Sequence, residues 1–217
     1  MSKQVFSVLA ALLLTTAPAA SHEMASSPMR LAANVANPAK VAATKKVVEG
    51  LWVGHINAVR KVVVAEIAGG DTKAAEGEVV ANAHAIADAI AGFHGKPAGD
   101  KLFTLLAGHY GAVKAYLDAT VAKDAAKQSA ATDQISANAD AFATFLSGAN
   151  PYLPKETLSE MLLAHGSHHI SQIQQLAAKD GAAEAKTAAH MKSHIIMVAD
   201  ALTDALAKQF PEKFKGE

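Results

Sequence analysis

Two His-x-x-x-His pairs in the last third of the chain carry the strongest chemical signal in the sequence. The pairs are His165/His169 and His190/His194. Residues four apart lie on one face of a helix, so each pair presents two imidazoles side by side. Between them, Lys179-Asp180-Gly181 predicts a helix stop with glycine in the left-handed position. Both pairs are symmetric about this turn, so an antiparallel hairpin would bring the four imidazoles together as a metal site.

The donor set of this predicted site restricts the metal. The chain has no Cys, so thiolate ligands are excluded and imidazole nitrogens would hold Zn²⁺, Cu²⁺, Ni²⁺ or Co²⁺. The affinity order of divalent metals favours copper, and zinc is the other expected ion. Haem or iron is less favoured. A ferritin-type di-iron site would need a Glu-x-x-His motif on each of two helices, and that motif is missing.

Composition and helix signals predict an all-α fold of about six helices. Aromatic residues make up only 5% of the chain, and its many alanines favour closely packed helices. Asn37-Pro38 predicts the first helix start, and Asp100 is expected to cap the third helix. We predict three repeated antiparallel hairpins forming one bundle, spanning residues 38–92, 98–147 and 154–210.

The hairpins align with one another as an internal repeat. Leu51–His55, Leu105–His109 and Met161–His165 match, with the histidines spaced by 54 and 56 residues. Such a period is typical of a duplicated helical unit. The first helix of each predicted hairpin, here called the outgoing helix, therefore carries a histidine at the same distance from its turn.

The returning helices align as well, at His84, Asp140 and His194. With His55 and His109, the first two of these are secondary candidates for a polar layer through the bundle. The alternative is that these side chains only pack and form hydrogen bonds. Helix-interior glycines precede His55 and His109, and they are expected to admit either a close helix neighbour or a bulky ligand.

The N-terminus predicts export. Residues 1–20 combine a basic start, an apolar run too short for a membrane span and small residues before a cleavage point, which is typical of a signal peptide. Residues 21–37 are expected to be a flexible mature N-terminus and 38–217 a single helical domain, located in the periplasm or secreted. His22 is a further metal candidate if cleavage leaves it at position one or three, where the terminal amine could join in binding Cu²⁺ or Ni²⁺.

Charge and motifs exclude several function classes. The net charge is zero with histidines neutral, which argues against nucleic acid or an anionic membrane as partner. No second apolar run predicts membrane insertion after signal removal. There is no serine elbow, phosphate-binding glycine loop or His-Glu-x-x-His motif, so an enzyme is not favoured. The sequence identifies no protein partner and leaves a homo-oligomer open.

Several short motifs resemble a family of exported bacterial all-helical proteins. They are Leu51-Trp52-x-x-His55, Asn82-Ala83-x-Ala85-Ile86-Ala87, Phe145-Leu146-Ser147-x-Ala149-Asn150-Pro151 and Lys208-Gln209-Phe210-Pro211-x-Lys213-Phe214. The resemblance covers about Val48 to Phe214. That family has no agreed activity, so the resemblance implies export and a helical bundle and supplies no catalytic residue. The inward-facing histidines are more loosely similar to those of hemerythrin-type and DinB-type metal-binding bundles.

The sequence thus predicts an exported protein that binds copper or zinc for buffering, delivery or sensing. Its site would be the four-histidine set of the third hairpin. Two alternatives stay open. One is a non-catalytic structural or interaction bundle, and the other is a haem or di-iron oxygen-binding protein.

Overall fold

The computed structural model describes residues 35–215, which form an all-α structure. Within them lie six α-helices and a final short 3₁₀ helix, Pro211–Phe214. The helices are α1 (Pro38–Ile67), α2 (Lys73–His94), α3 (Lys96–Val121), α4 (Ala125–Ala149), α5 (Lys155–Ala177) and α6 (Gly181–Gln209). The predicted signal peptide, nearly all of the predicted N-terminal segment and His22 lie outside the described residues.

The turns after α1, α3 and α5 share one geometry. Each closes with a backbone bond across six residues, as in Asp180 N–H to Gln175 O at 2.9 Å. This is the Schellman arrangement, which needs one residue with positive φ. The predicted left-handed Gly181 is wrong, because Lys179 takes that conformation at φ 58°. Gly181 instead begins α6, and Asp180 caps it by accepting from Ala183 N–H.

The third helix begins earlier than predicted. Asp100 does not cap α3. Gly95 precedes the helix at φ 87° and Lys96 is its first residue. Pro97 fits this first turn because the backbone N–H that proline lacks has no helical partner there. Asp100 lies one turn inside the helix and pairs with Lys96 at 2.6 Å.

The six helices close into a ring in chain order. Each helix packs on the next, and α6 returns to pack on α1. The outgoing helices α1, α3 and α5 also contact one another across the middle, whereas α2 and α4 pack mainly on their two neighbours on the ring. The bundle therefore has an inner set of three helices, and side chains on their facing sides meet at its centre.

A layer of histidines divides the apolar core into two main clusters. One cluster includes Trp52, Leu106 and Ile195, and the other includes Val59 and Val113. In α3 the chain passes from the first cluster to the second through the buried His109, and in α1 His55 lies just before the same change. Among residues 35–215, no helix combines the length and the apolar character that a membrane span requires.

Candidate metal centre

Four buried histidines from the three inner helices meet at the bundle centre. Helix α1 supplies His55, α3 supplies His109, and α5 supplies both His165 and His169. One ring nitrogen from each lies within 4.8 Å of the other three, a separation close enough to hold a metal ion. His55, His109 and His165 occupy the same position in the predicted repeat, and His169 follows one helical turn after His165. We refer to these four side chains as the His₄ cluster.

The His₄ cluster is removed from solvent and short of hydrogen-bond partners. The exposed fractions of His55, His109, His165 and His169 are 2%, 8%, 4% and 1%. Both ring nitrogens of His55, Nε2 of His109 and Nδ1 of His165 are buried without a protein partner. A buried polar atom left unpaired costs about 1–3 kcal/mol. These imidazoles are therefore poorly explained as hydrogen-bonded packing residues.

The spacing of the rings is close to that of a tetrahedral metal site. An ion bound at about 2.0–2.1 Å by four imidazoles would hold the nitrogens about 3.3 Å apart and the ring centroids about 5.2 Å apart. The six centroid separations in the cluster run from 4.6 to 5.9 Å. Nε2 of His165 and Nε2 of His169 lie 3.1 Å apart. The ligand nitrogens now lie up to 4.8 Å apart, so coordination would require the more distant imidazoles to move towards the centre.

Burial keeps the cluster neutral. It lowers the pKa of His109 to about 4, and burial together with the neighbouring His109 lowers the pKa of His55 to about 3. The pKa values of His165 and His169 also fall well below the usual value, first through burial and then through the surrounding imidazoles. Neutral imidazole is the form that binds metals. The folded protein therefore presents four ligands that need not lose a proton.

In each of the first two hairpins, an asparagine side chain on the second helix bonds to the backbone of the first helix and fixes how the two helices are aligned. Asn82 Nδ2 donates to Leu51 O at 2.9 Å, one turn before His55. Asn138 Nδ2 makes the matching bond to Leu105 O at 3.1 Å, one turn before His109. The glycine before each histidine makes room for the amide, since a Cβ at Gly54 would lie 3.0 Å from Asn82 Nδ2. Of the two expectations for these glycines, the close helix neighbour matches the structure.

The third hairpin uses a histidine for the same bond, so the predicted quartet does not assemble. Nε2 of His194 lies 2.8 Å from Met161 O, one turn before His165. His190, one turn away on α6, is exposed. Because α6 packs on the outer side of α5, His194 meets His168, with ring centroids 5.3 Å apart, while His165 and His169 point to the bundle centre. His55 and His109 take the places predicted for His190 and His194.

The secondary candidates on the other returning helices also lie outside the cluster. His84 is exposed and stacks on Phe103 at 4.1 Å between ring centroids. Asp140 is exposed and pairs with Lys155 at 2.8 Å. The expected polar layer is therefore built from the outgoing helices alone. The 54- and 56-residue spacing in the sequence is the signal that identifies it.

A small cavity of about 20 Å³ lies beside three imidazoles of the cluster. A cavity of this size holds about one water molecule. His55, His109 and His165 face it on one side, and its remaining walls are mostly apolar, formed by side chains that include Trp52 and Phe142. An ion in the cluster could therefore take one additional small ligand.

Comparisons of the chain with protein-family models, with curated proteins and with solved structures find no match.

Proposed function

We propose that this is an exported transition-metal-binding protein that holds one zinc or copper ion in the His₄ cluster. The observation that carries the proposal is the cluster itself: four neutral, buried imidazoles with ligand atoms within 4.8 Å of one another. The physiological role we propose is buffering, delivery or sensing of the ion in the periplasm or outside the cell. The export part rests on the signal-like residues 1–20.

Metal binding accounts for the cluster better than packing does. Buried polar atoms in proteins are normally hydrogen-bonded, and exceptions call for an explanation such as a bound ion. Four ring nitrogens in three of these residues have no protein partner. An ion at the centre would turn one nitrogen of each imidazole into a ligand. A bundle that needed only a packed core would be more stable with apolar residues at these positions.

The donor set favours zinc or copper over haem or a di-iron centre. Within residues 35–215, the only group of three or more histidines and carboxylates that meets the spacing for a metal consists of four imidazoles. Bridged di-iron sites require carboxylates. A porphyrin would have to enter between rings whose centroids lie at most 5.9 Å apart. Zinc accepts four neutral nitrogens in tetrahedral geometry, and copper binds imidazole more tightly than the other divalent metals.

Elemental analysis of the protein purified from its export compartment, without chelators or an affinity tag, tests this function. We expect one equivalent of zinc or copper to remain bound through purification in the wild type and in His190→Ala, and less than a tenth of that in His109→Ala. His190→Ala is the matched control because it removes an exposed imidazole from the originally predicted set. Metal-free wild type that also takes up neither ion in vitro would leave the structural-bundle alternative in its place.

The small cavity favours a second candidate function, in which the bound ion takes a small exogenous ligand. The cavity adjoins three of the four imidazoles and holds about one small molecule. Addition of azide to the Co²⁺-loaded protein should then change its visible spectrum. An unchanged spectrum at saturating azide would indicate a closed site with a structural, storage or transport role.

A further inference from the structure

We infer that His168 and His194 form a second transition-metal site on the surface between α5 and α6. This site is separate from the His₄ cluster and does not depend on it. His168 lies one position before His169 on α5, and the 100° turn between adjacent helical residues points it to α6 instead of inward. The two sites would thus lie on two faces of the same helix.

The ring geometry of the surface pair suits a shared ion. The centroids of His168 and His194 are 5.3 Å apart, and the rings are inclined at 64°. Two imidazoles on one tetrahedral ion are expected at about 5.2 Å between centroids. His190 lies one turn before His194 on α6, but it does not join the pair as a third residue at metal-ligand spacing. Unlike the His₄ cluster, these side chains are half-buried or exposed.

The hydrogen bonding of His194 prepares it as a ligand. Its Nε2 lies 2.8 Å from the carbonyl oxygen of Met161, so this nitrogen carries the proton and donates it. The other nitrogen, Nδ1, then holds a free lone pair. Metal-binding histidines usually donate their second ring N–H to a carbonyl or carboxylate in this way, which fixes the tautomer and the ring.

The expected ion is Zn²⁺, bound more weakly than at the bundle centre. Two imidazoles at the surface give fewer protein ligands than the His₄ cluster, and water would complete the coordination. Zinc is also the better probe, because a free N-terminal amine near His22 could bind Cu²⁺ or Ni²⁺ independently. A surface site of this kind would capture the ion on α5, the helix that also carries His165 and His169.

Equilibrium dialysis of the metal-free full chain against Zn²⁺ at pH 7.5, with zinc measured by elemental analysis, tests the inference. We expect two equivalents in the wild type and one in His168→Ala. His84→Ala is the matched control, since His84 occupies the repeat position of His194 but stacks on Phe103. It should retain two equivalents. His168→Ala is preferred to His194→Ala because the latter also breaks the bond to Met161.

The outcomes separate this inference from the proposed function. One equivalent in the wild type and none in His168→Ala would keep the surface site and overturn the buried one. Equal zinc content in the wild type and in His168→Ala would overturn the surface site. If His168→Ala does not fold, the imidazole ¹⁵N NMR chemical shifts of His168 and His194 in the wild type provide the test. Shifts that do not move on adding a second equivalent of Zn²⁺ would also overturn it.

Discussion

Acidification should destabilise the metal-free protein steeply, because unfolding releases four buried neutral imidazoles into water. The pKa of each cluster histidine is lowered in the folded state, to about 3 for His55 and about 4 for His109, and also well below the usual value for His165 and His169. Unfolded histidine titrates near 6.5. The stabilising contribution is therefore complete above pH 6.5 and is lost as the pH falls towards the folded pKa values.

The magnitude follows from the unfolded chain alone at any pH well above the folded pKa values. At pH 5.5 an unfolded histidine is about 90% protonated, which favours unfolding by about 1.4 kcal/mol for each residue. Four such residues give a loss of about 5 kcal/mol between pH 7.5 and pH 5.5. A domain of this size has a total stability on the order of 5–15 kcal/mol, so the loss would be a large part of it.

Urea unfolding of the metal-free protein at several pH values, followed by the helical circular dichroism signal, measures this loss. His55→Leu should reduce the proton uptake on unfolding by one. The control is Val59→Ala, which lies one turn along α1 at 1% exposure. That substitution removes apolar contacts but no imidazole, so it should lower stability equally at every pH. A loss of unfolding free energy below 1 kcal/mol in the wild type would contradict this prediction. It would show that the imidazoles are hydrated or protonated in the folded state.

Four further outcomes follow from the structure. A hundredfold excess of Zn²⁺ over its dissociation constant should stabilise the protein by about 2.7 kcal/mol at pH 7.5 and by nearly as much at pH 5.5, because the cluster histidines stay neutral in the folded state at both pH values; thermal melting with and without metal measures this. Gly166→Ala should cost about 1–3 kcal/mol, since its Cβ would lie 2.5 Å from Ile135 Cγ2. Gly111→Ala, where nothing lies within 4 Å, should instead stabilise by up to about 1 kcal/mol in the same denaturation assay. Glu184→Ala should cost about 2 kcal/mol on urea unfolding, because it removes the buried carboxylate that accepts two bonds from the half-exposed Arg60. Equal stability of the two glycine variants, or of Glu184→Ala and the wild type, would contradict these contacts.

The local signals in the sequence were sufficient for the helices. Asn37-Pro38 marks the start of α1 as predicted, with the Asn37 side chain accepting from Ala39 N–H. The predicted start of α3 at Asp100 was wrong because aspartate is a common helix cap, whereas the structure uses a glycine–lysine–proline start. The left-handed residue between α5 and α6 was predicted wrongly because lysine rarely adopts positive φ, although Lys179 does so here.

The site was predictable in part. The repeat placed a histidine at one height on each outgoing helix, and those three residues do meet. The symmetry of the third hairpin predicted that His194 faces His165, but it could not give the rotation of α6 about its axis. That rotation depends on which helices surround α5, and it sends His194 to Met161 and His168 instead of to His165. Long-range packing of α1 and α3, not hairpin register, completes the cluster.

X-ray absorption at the zinc edge, on protein loaded with one equivalent of Zn²⁺ at pH 7.5, would show directly whether the His₄ cluster binds the ion. We expect about four imidazole nitrogens at about 2.0–2.1 Å from the ion in the wild type. We expect about three nitrogens and a water oxygen in His55→Ala, with the spectrum of His190→Ala unchanged. An ion bound mainly by oxygen, or a wild-type spectrum that His55→Ala does not alter, would contradict a metal centre in the middle of the bundle.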